Sequence, residues 1–197
     1  MDSYPFSLGG TQEQANSLKD HGVDGLIGYL SAMNVDRLRY VLNAELAFMP
    51  VTLAGAYFNG AEDELSQLHS LGIPQGATVW LDLEGKKTYQ WPVNDLLLKV
   101  NAWAHALIDD GYIPGLYVGS PQPFTGPELT ALAVQRYWCA PSLILDRNGK
   151  DWSEPTGVGF CMRQFWPQCT FPGTNVFVDV NMVGEDRRGR VPTWVVG

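Results

Sequence analysis

The sequence predicts an α/β fold, a compact TIM-type (β/α)8 barrel whose units become short or irregular near the C-terminus, in one domain over residues 1–197. Three observations carry this expectation. Short apolar runs alternate with amphipathic stretches, and such alternation implies parallel strands with helices outside them. Up to eight runs read as strands, the number that closes a barrel, and ~200 residues is the lower end for that fold. The competing architecture, an open doubly wound sheet, usually brings a Gly-rich phosphate turn after an early strand, which Gly9-Gly10 matches poorly.

In chain order, residues 4–8 form a short extended piece ending at Gly9-Gly10. Thr11 can cap a helix to about Asp20, with Glu13 and Gln14 in its first turn. Residues 25–30 read as a strand, and residues 35–46 as a helix with Asn34 as cap. Residues 49–58 form a second strand, and residues 61–71 an acidic amphipathic helix closed by Gly72 and Pro74. A buried strand over 78–83 follows a Pro/Gly turn and stops at Gly85. The longest helical pattern, 92–110, repeats Leu96, Leu97, Val100, Trp103, Ala104 and Leu107 at three- and four-residue steps, with Pro92 in its first turn and Gly111 at its stop. Strands are expected at 113–119, 136–140, 159–166 and 176–182, with a short helix at 127–134 and a polar loop at 146–157.

Composition narrows the function. Hydrophobic residues make up 45% and charged residues 17%, which describes a packed domain and not a disordered chain. The net charge of -8 disfavours nucleic acid and anionic lipid, since phosphate binding needs clustered Lys and Arg. No apolar run approaches ~20 residues, so no membrane span is expected, and the N-terminus lacks the basic and apolar regions of a secretory signal. The sequence fits several compartments alike: a phage-encoded, virion-borne protein, one released by a non-classical route, and an intracellular one. Cys139, Cys161 and Cys169 lack metal or scaffold spacing, with buried free thiols the default and a Cys161–Cys169 pair the alternative. His21, His69 and His105 lack ligand spacing, so neither a metal nor another cofactor is expected. A monomer is expected.

The chemistry centres on Asp82 and Glu84 at the C-terminal end of the 78–83 strand. Strand side chains alternate, so both acids should share a face with Trp80 below them, their Cα atoms about 6.5 Å apart. Burying two like charges raises at least one pKa, and such a pair persists where a neighbour compensates it or chemistry uses it. The plainer role is structural, one acid capping the next helix and the other meeting an arginine. In a barrel, active sites collect at the C-terminal strand ends. There this chain offers Tyr29, Tyr57, Asn59, Asp82, Glu84, Tyr117, Trp138, Gln164, Trp166, Asp179 and Asn181. Acids, amides and aromatic rings at one mouth describe a sugar site better than a hydride- or phosphate-transfer site. Packing alone is the plainer role for the Trp residues, and a pair with Arg163 for Asp179.

Five strand ends in order resemble those of the glycoside hydrolase family 25 lysozymes (N-acetylmuramidases), and more closely the related glycoside-hydrolase-like domains of unknown function. They are Trp80-Leu81-Asp82-Leu83-Glu84, Pro114-Gly115-Leu116-Tyr117, Tyr137-Trp138-Cys139-Ala140, Arg163-Gln164-Phe165 and Val178-Asp179-Val180-Asn181, within a match over roughly 22–183. The resemblance implies a lysozyme-like hydrolase of peptidoglycan or a similar amino-sugar polysaccharide. Glu84 would be the general acid, Asp82 a carboxylate steadying positive charge or orienting an acetamido group, Asp179 a further cleft acid, and Tyr117 and Gln164 sugar holders. The chain departs from the family at residues 4–8, which carry no Asp. A barrel that binds glycan without turnover, as a phage or wall-associated component, and a purely structural role for the acids are the alternatives.

Overall fold

The computed structural model describes residues 10–54, 61–83, 91–119, 122–142, 144–170 and 177–197, without the side chains of 166–169 and 177. Among these residues, thirteen elements follow one another: α1 (Gln12–Asp20), β1 (Gly25–Tyr29), a 3-10 turn (Leu30–Ala32), α2 (Val35–Asn43), β2 (Ala47–Leu53), α3 (Glu62–Ser70), β3 (Thr78–Asp82), α4 (Val93–Asp109), β4 (Ile113–Val118), α5 (Gly126–Ala131), β5 (Arg136–Cys139), β6 (Met162–Thr170) and β7 (Phe177–Val183). The seven strands form one sheet in sequential order, β1 to β7. The first six are parallel, and β7 returns antiparallel to β6.

The expected closed eight-unit barrel is therefore corrected to an open, curled half-barrel of mixed strands with five helices. The reason lies in the last connections. An irregular segment, not a helix, joins β5 to β6, and β6 and β7 pair antiparallel with two register shifts. A parallel strand needs a crossover of a dozen or more residues, whereas an antiparallel neighbour needs only a hairpin. The strand expected at residues 4–8 lies outside the described residues.

Local chemistry sets most boundaries. Thr11 and Asn34 cap α1 and α2, accepting from the Gln14 and Arg37 amides at 3.3 and 2.9 Å. Helix α2 stops three residues short of Leu46. Glu45 adopts φ 57, and the Leu46 amide turns back to the Val41 carbonyl at 3.1 Å, so Leu46 is buried outside the helix. The α5 terminus is a capping box between Thr125 and Glu128.

Two apolar layers result. The larger lies between the helices and one sheet face and includes Leu38, Phe48, Leu68, Val79, Leu81, Leu96, Trp103 and Leu116. The smaller lines the concave face: Met49, Val51, Trp80, Tyr117, Trp138, Ala140, Cys161 and Met162. Alternation along β3 separates them, Val79 and Leu81 outward and Trp80 inward.

The C-terminal segment covers the N-terminal ends of the central strands. Val195 exchanges backbone hydrogen bonds with Phe48, both 2.9 Å, and the Thr78 amide donates to the Thr193 carbonyl at 2.9 Å. Trp194 packs against the concave cluster and lies over Gly25. With that end covered, the C-terminal strand ends form the mouth.

Candidate functional site

Three contacts on the concave face join strands that are not neighbours. The Tyr29 hydroxyl on β1 donates to Asp82 Oδ2 on β3 at 2.6 Å. The Trp80 ring on β3 meets the Trp138 ring on β5 edge-on, with centroids 5.9 Å apart. The Tyr117 hydroxyl on β4 donates to Gln164 Oε1 on β6 at 2.7 Å. Adjacent strands lie about 4.8 Å apart, so side chains two strands apart on a flat sheet start about 10 Å apart. Curling draws them together.

Gly115 makes the middle contact possible. It sits on β4 between Trp80 and Trp138, in register with Trp80. A Cβ at this position would lie 2.4 Å from the Trp80 ring. The missing side chain lets the indole cross β4, while its Nε1 donates to Met49 Sδ at 3.3 Å.

Above this aromatic floor runs a row set by parallel register: Leu53, Asp82 and Tyr117 are successive partners, and Tyr117 pairs in turn with Trp138. Asp82 is 4% exposed, and Tyr117, Trp138 and Gln164 are also buried. The Tyr117 and Trp138 rings are 4.4 Å apart, tilted by 51°. Gln164 faces Asn181 across the β6–β7 ladder. Asn181 Nδ2 donates to the Asp179 carbonyl at 3.3 Å. Two buried polar atoms here, Trp138 Nε1 and Asn181 Oδ1, have no hydrogen-bond partner among the described residues. Such atoms carry a desolvation cost that a bound polar group relieves.

Of the expected site residues, the structure gathers Tyr29, Asp82, Tyr117, Trp138, Gln164 and Asn181 on this face. Asp82 shares the concave side with Trp80, as alternation requires. Half-buried Asp179 shares the face of Asn181 by the same period, but β7 runs the other way, so its N-terminal half is toward the mouth. Arg163 is exposed, pairs in register with Cys139 and belongs to the opposite side of β6 from Gln164. Trp166 is a β6 residue whose side chain is not described, and Tyr57, Asn59 and Glu84 lie outside the described residues. Sequence reasoning did not identify Met49, the spacing role of Gly115, or Trp194. The Gly in Pro114-Gly115-Leu116-Tyr117 is the one signal that could have pointed to the second.

Titratable groups elsewhere have structural causes. Cys139 and Cys161 are free and buried, and burial pushes the Cys139 thiol up to about 11 and raises that of Cys161. The Arg147 guanidinium holds Glu128 down at about 2. Hydrogen bonds from Arg190 and Arg188 outweigh burial and keep the Asp186 carboxyl below its usual range. Exposed His69 meets Asp110 at 2.5 Å. Among the described residues, no group of three His, Cys, Asp or Glu could hold a metal ion, and no helix is long and apolar enough to cross a membrane.

The chain is thus a half-barrel α/β protein with an acid, amides and aromatic rings on its concave face. No protein-family model and no curated protein matches it. Solved structures do. An uncharacterized protein of B. stearothermophilus superposes with a TM-score of 0.58 at 17% identity, over 84% of this chain and 85% of that one. The Tat-secreted protein Rv2525c of Mycobacterium tuberculosis, in complex with L-tartrate, gives 0.59 at 14% identity, over 88% and 93%. Its complex with HEPES gives 0.58 at 14%, over 87% and 90%. At these identities the likeness concerns the fold alone.

Proposed function

We propose that this chain binds an amino-sugar glycan across the mouth of the half-barrel and hydrolyses it, as a lysozyme-type glycosidase. The observation that carries the reading is the buried Asp82 carboxylate, oriented by Tyr29 and in register with Tyr117, whose ring packs on Trp138. Support also comes from the two unpartnered atoms, an indole N–H and an amide oxygen. A donor and an acceptor in an aromatic wall suit a ligand rich in hydroxyl and acetamido groups.

Glycoside cleavage passes through an oxocarbenium-like state and needs a protonated carboxyl at the leaving oxygen and a negative charge near the ring. Glu84, two residues beyond Asp82, takes the acid role, and Asp82 supplies the charge or orients the acetamido group. Tyr29 fixes the Asp82 carboxyl, and Tyr117 fixes the Gln164 amide. Asp179 is a further acid on the same face.

Glu84→Gln keeps shape and loses the proton. Its release of reducing ends from purified peptidoglycan should fall by at least about a hundredfold, the scale of a lost general acid, with glycan binding retained. Undiminished turnover removes Glu84 from the mechanism.

One observation favours a second reading, glycan binding without turnover. Asp82 is 4% exposed and already engaged by Tyr29, which suits orienting a bound acetamido group better than steadying a charge that develops in turnover. If wild type binds the polymer and releases no reducing ends, this reading replaces the first.

A further inference from the structure

Between β5 and β6 the chain forms a small hairpin. Leu145 and Trp152 pair as an antiparallel bridge, and the Ser153 amide donates to the Ile144 carbonyl at 2.7 Å. Its tip is closed by buried Asp146, whose Oδ1 accepts from the Asn148 and Lys150 amides at 2.8 and 3.3 Å. Both flanks are anchored. Arg147 binds the Pro123 carbonyl and Glu128, and Ser153 Oγ donates to the Phe124 carbonyl at 3.0 Å. Pro123 and Phe124 belong to the segment leaving the C-terminal end of β4, so the hairpin stands at the mouth. Ile144 packs on the concave cluster.

On the opposite side of the hairpin, Trp152 is 54% and Leu145 47% exposed. Bridge partners share a face, so these two form one apolar surface turned away from Ile144. About half of the Trp152 surface is thus open to solvent beside Leu145, on a hairpin anchored at both flanks. Two apolar side chains are far too few for a protein interface, which buries about 800 Å² per partner. A lipid surface would require a basic surround. Here the rim mixes Lys150 with Asp151, Arg147 is paired with Glu128, and the chain carries -8. One sugar ring matches one indole face, and exposed Asn148, Lys150 and Asp151 can meet its hydroxyls.

We infer that Trp152, backed by Leu145, is a second sugar platform that holds a stretch of the glycan polymer outside the concave site. This rests on the function proposed above. Two attachment points on one polymer strengthen its retention, whereas a ligand short enough to occupy only the concave site gains nothing.

The test uses the whole chain with two probes: cosedimentation with insoluble peptidoglycan, and titration with a soluble peptidoglycan tetrasaccharide. Trp152→Ala should weaken cosedimentation by at least about tenfold, a small share of the usual avidity gain, and leave tetrasaccharide affinity and melting temperature unchanged. Trp152→Leu, which keeps apolar bulk and loses the flat face, should show the same loss and stands in if the alanine variant does not fold. Wild-type cosedimentation by both variants, with wild type binding both probes, overturns the platform and leaves the concave site intact. Equal loss on both probes also overturns it, because Trp152 then serves the concave site itself. Binding of neither probe by wild type overturns both proposals together.

Discussion

Tyr29 reaches across β2 to place its hydroxyl 2.6 Å from a carboxylate that is 4% exposed. A buried intramolecular hydrogen bond contributes about 0.5–1.5 kcal/mol, and more where one partner is charged. Tyr29→Phe removes one oxygen and keeps the ring. Its urea unfolding free energy should fall by about 1–3 kcal/mol, and glycan affinity should fall with it because Asp82 loses its orientation. An unchanged midpoint and affinity would mean that Tyr29 does not hold Asp82 in place. The two-residue period of a strand is enough to put Asp82 and Trp80 on one face. It cannot name Tyr29 as the partner, because a residue 53 positions earlier in the chain comes near only when the sheet curls.

Among the α-helices of the described residues, α5 is the shortest, at six residues, and depends on its ends. Glu128 closes the capping box with Thr125 and also takes Arg147 from the mouth hairpin, so one carboxylate joins helix to hairpin. Gly126 allows the close approach, since a Cβ there would lie 2.4 Å from the Glu154 carbonyl oxygen. The Glu128 carboxyl is lowered from 4.5 to about 2, chiefly by its bond to Arg147. A depressed carboxyl stabilises the folded state above its unfolded value, and that contribution drains as pH falls. Melting temperature should therefore drop between about pH 4.5 and 2, and Glu128→Gln should flatten this part of the profile. A profile identical to wild type would show that the junction adds nothing. The short helix expected here, at 127–134, comes without its Thr-x-x-Glu cap, a local signal that sequence reasoning passed over. The Arg147 partner leaves no such signal, because it arrives from the polar 146–157 stretch, which carries no helical or strand period.

For the whole molecule, curvature is the decisive property. It brings Tyr29 to Asp82, Trp80 to Trp138 and Tyr117 to Gln164, and Gly115 makes room for the central contact. Gly115→Ala should push the Trp80 ring off Trp138, lower stability by about 1–3 kcal/mol through overpacking, and reduce near-ultraviolet dichroism from the coupled indoles. Unaltered dichroism and stability would mean that the ring moves aside freely and that Gly115 does not set the curl. Residues 184–197 complete the arrangement by covering the opposite end, with Trp194 under the concave cluster.

Amino-acid order alone specifies the succession of strands and helices among the described residues, several caps, and the faces on which Asp82, Tyr117 and Trp138 lie, while the strand expected at 49–58 ends at Leu53. These follow from local periodicity and capping chemistry, which act over a few residues. Three-dimensional packing settles the rest: that the sheet stays an open half-barrel, that β7 runs antiparallel, and which side chains meet across it. Those outcomes depend on how ring volumes and one absent side chain fit between distant strands, and on an antiparallel pairing of β6 with β7 that no local period announces.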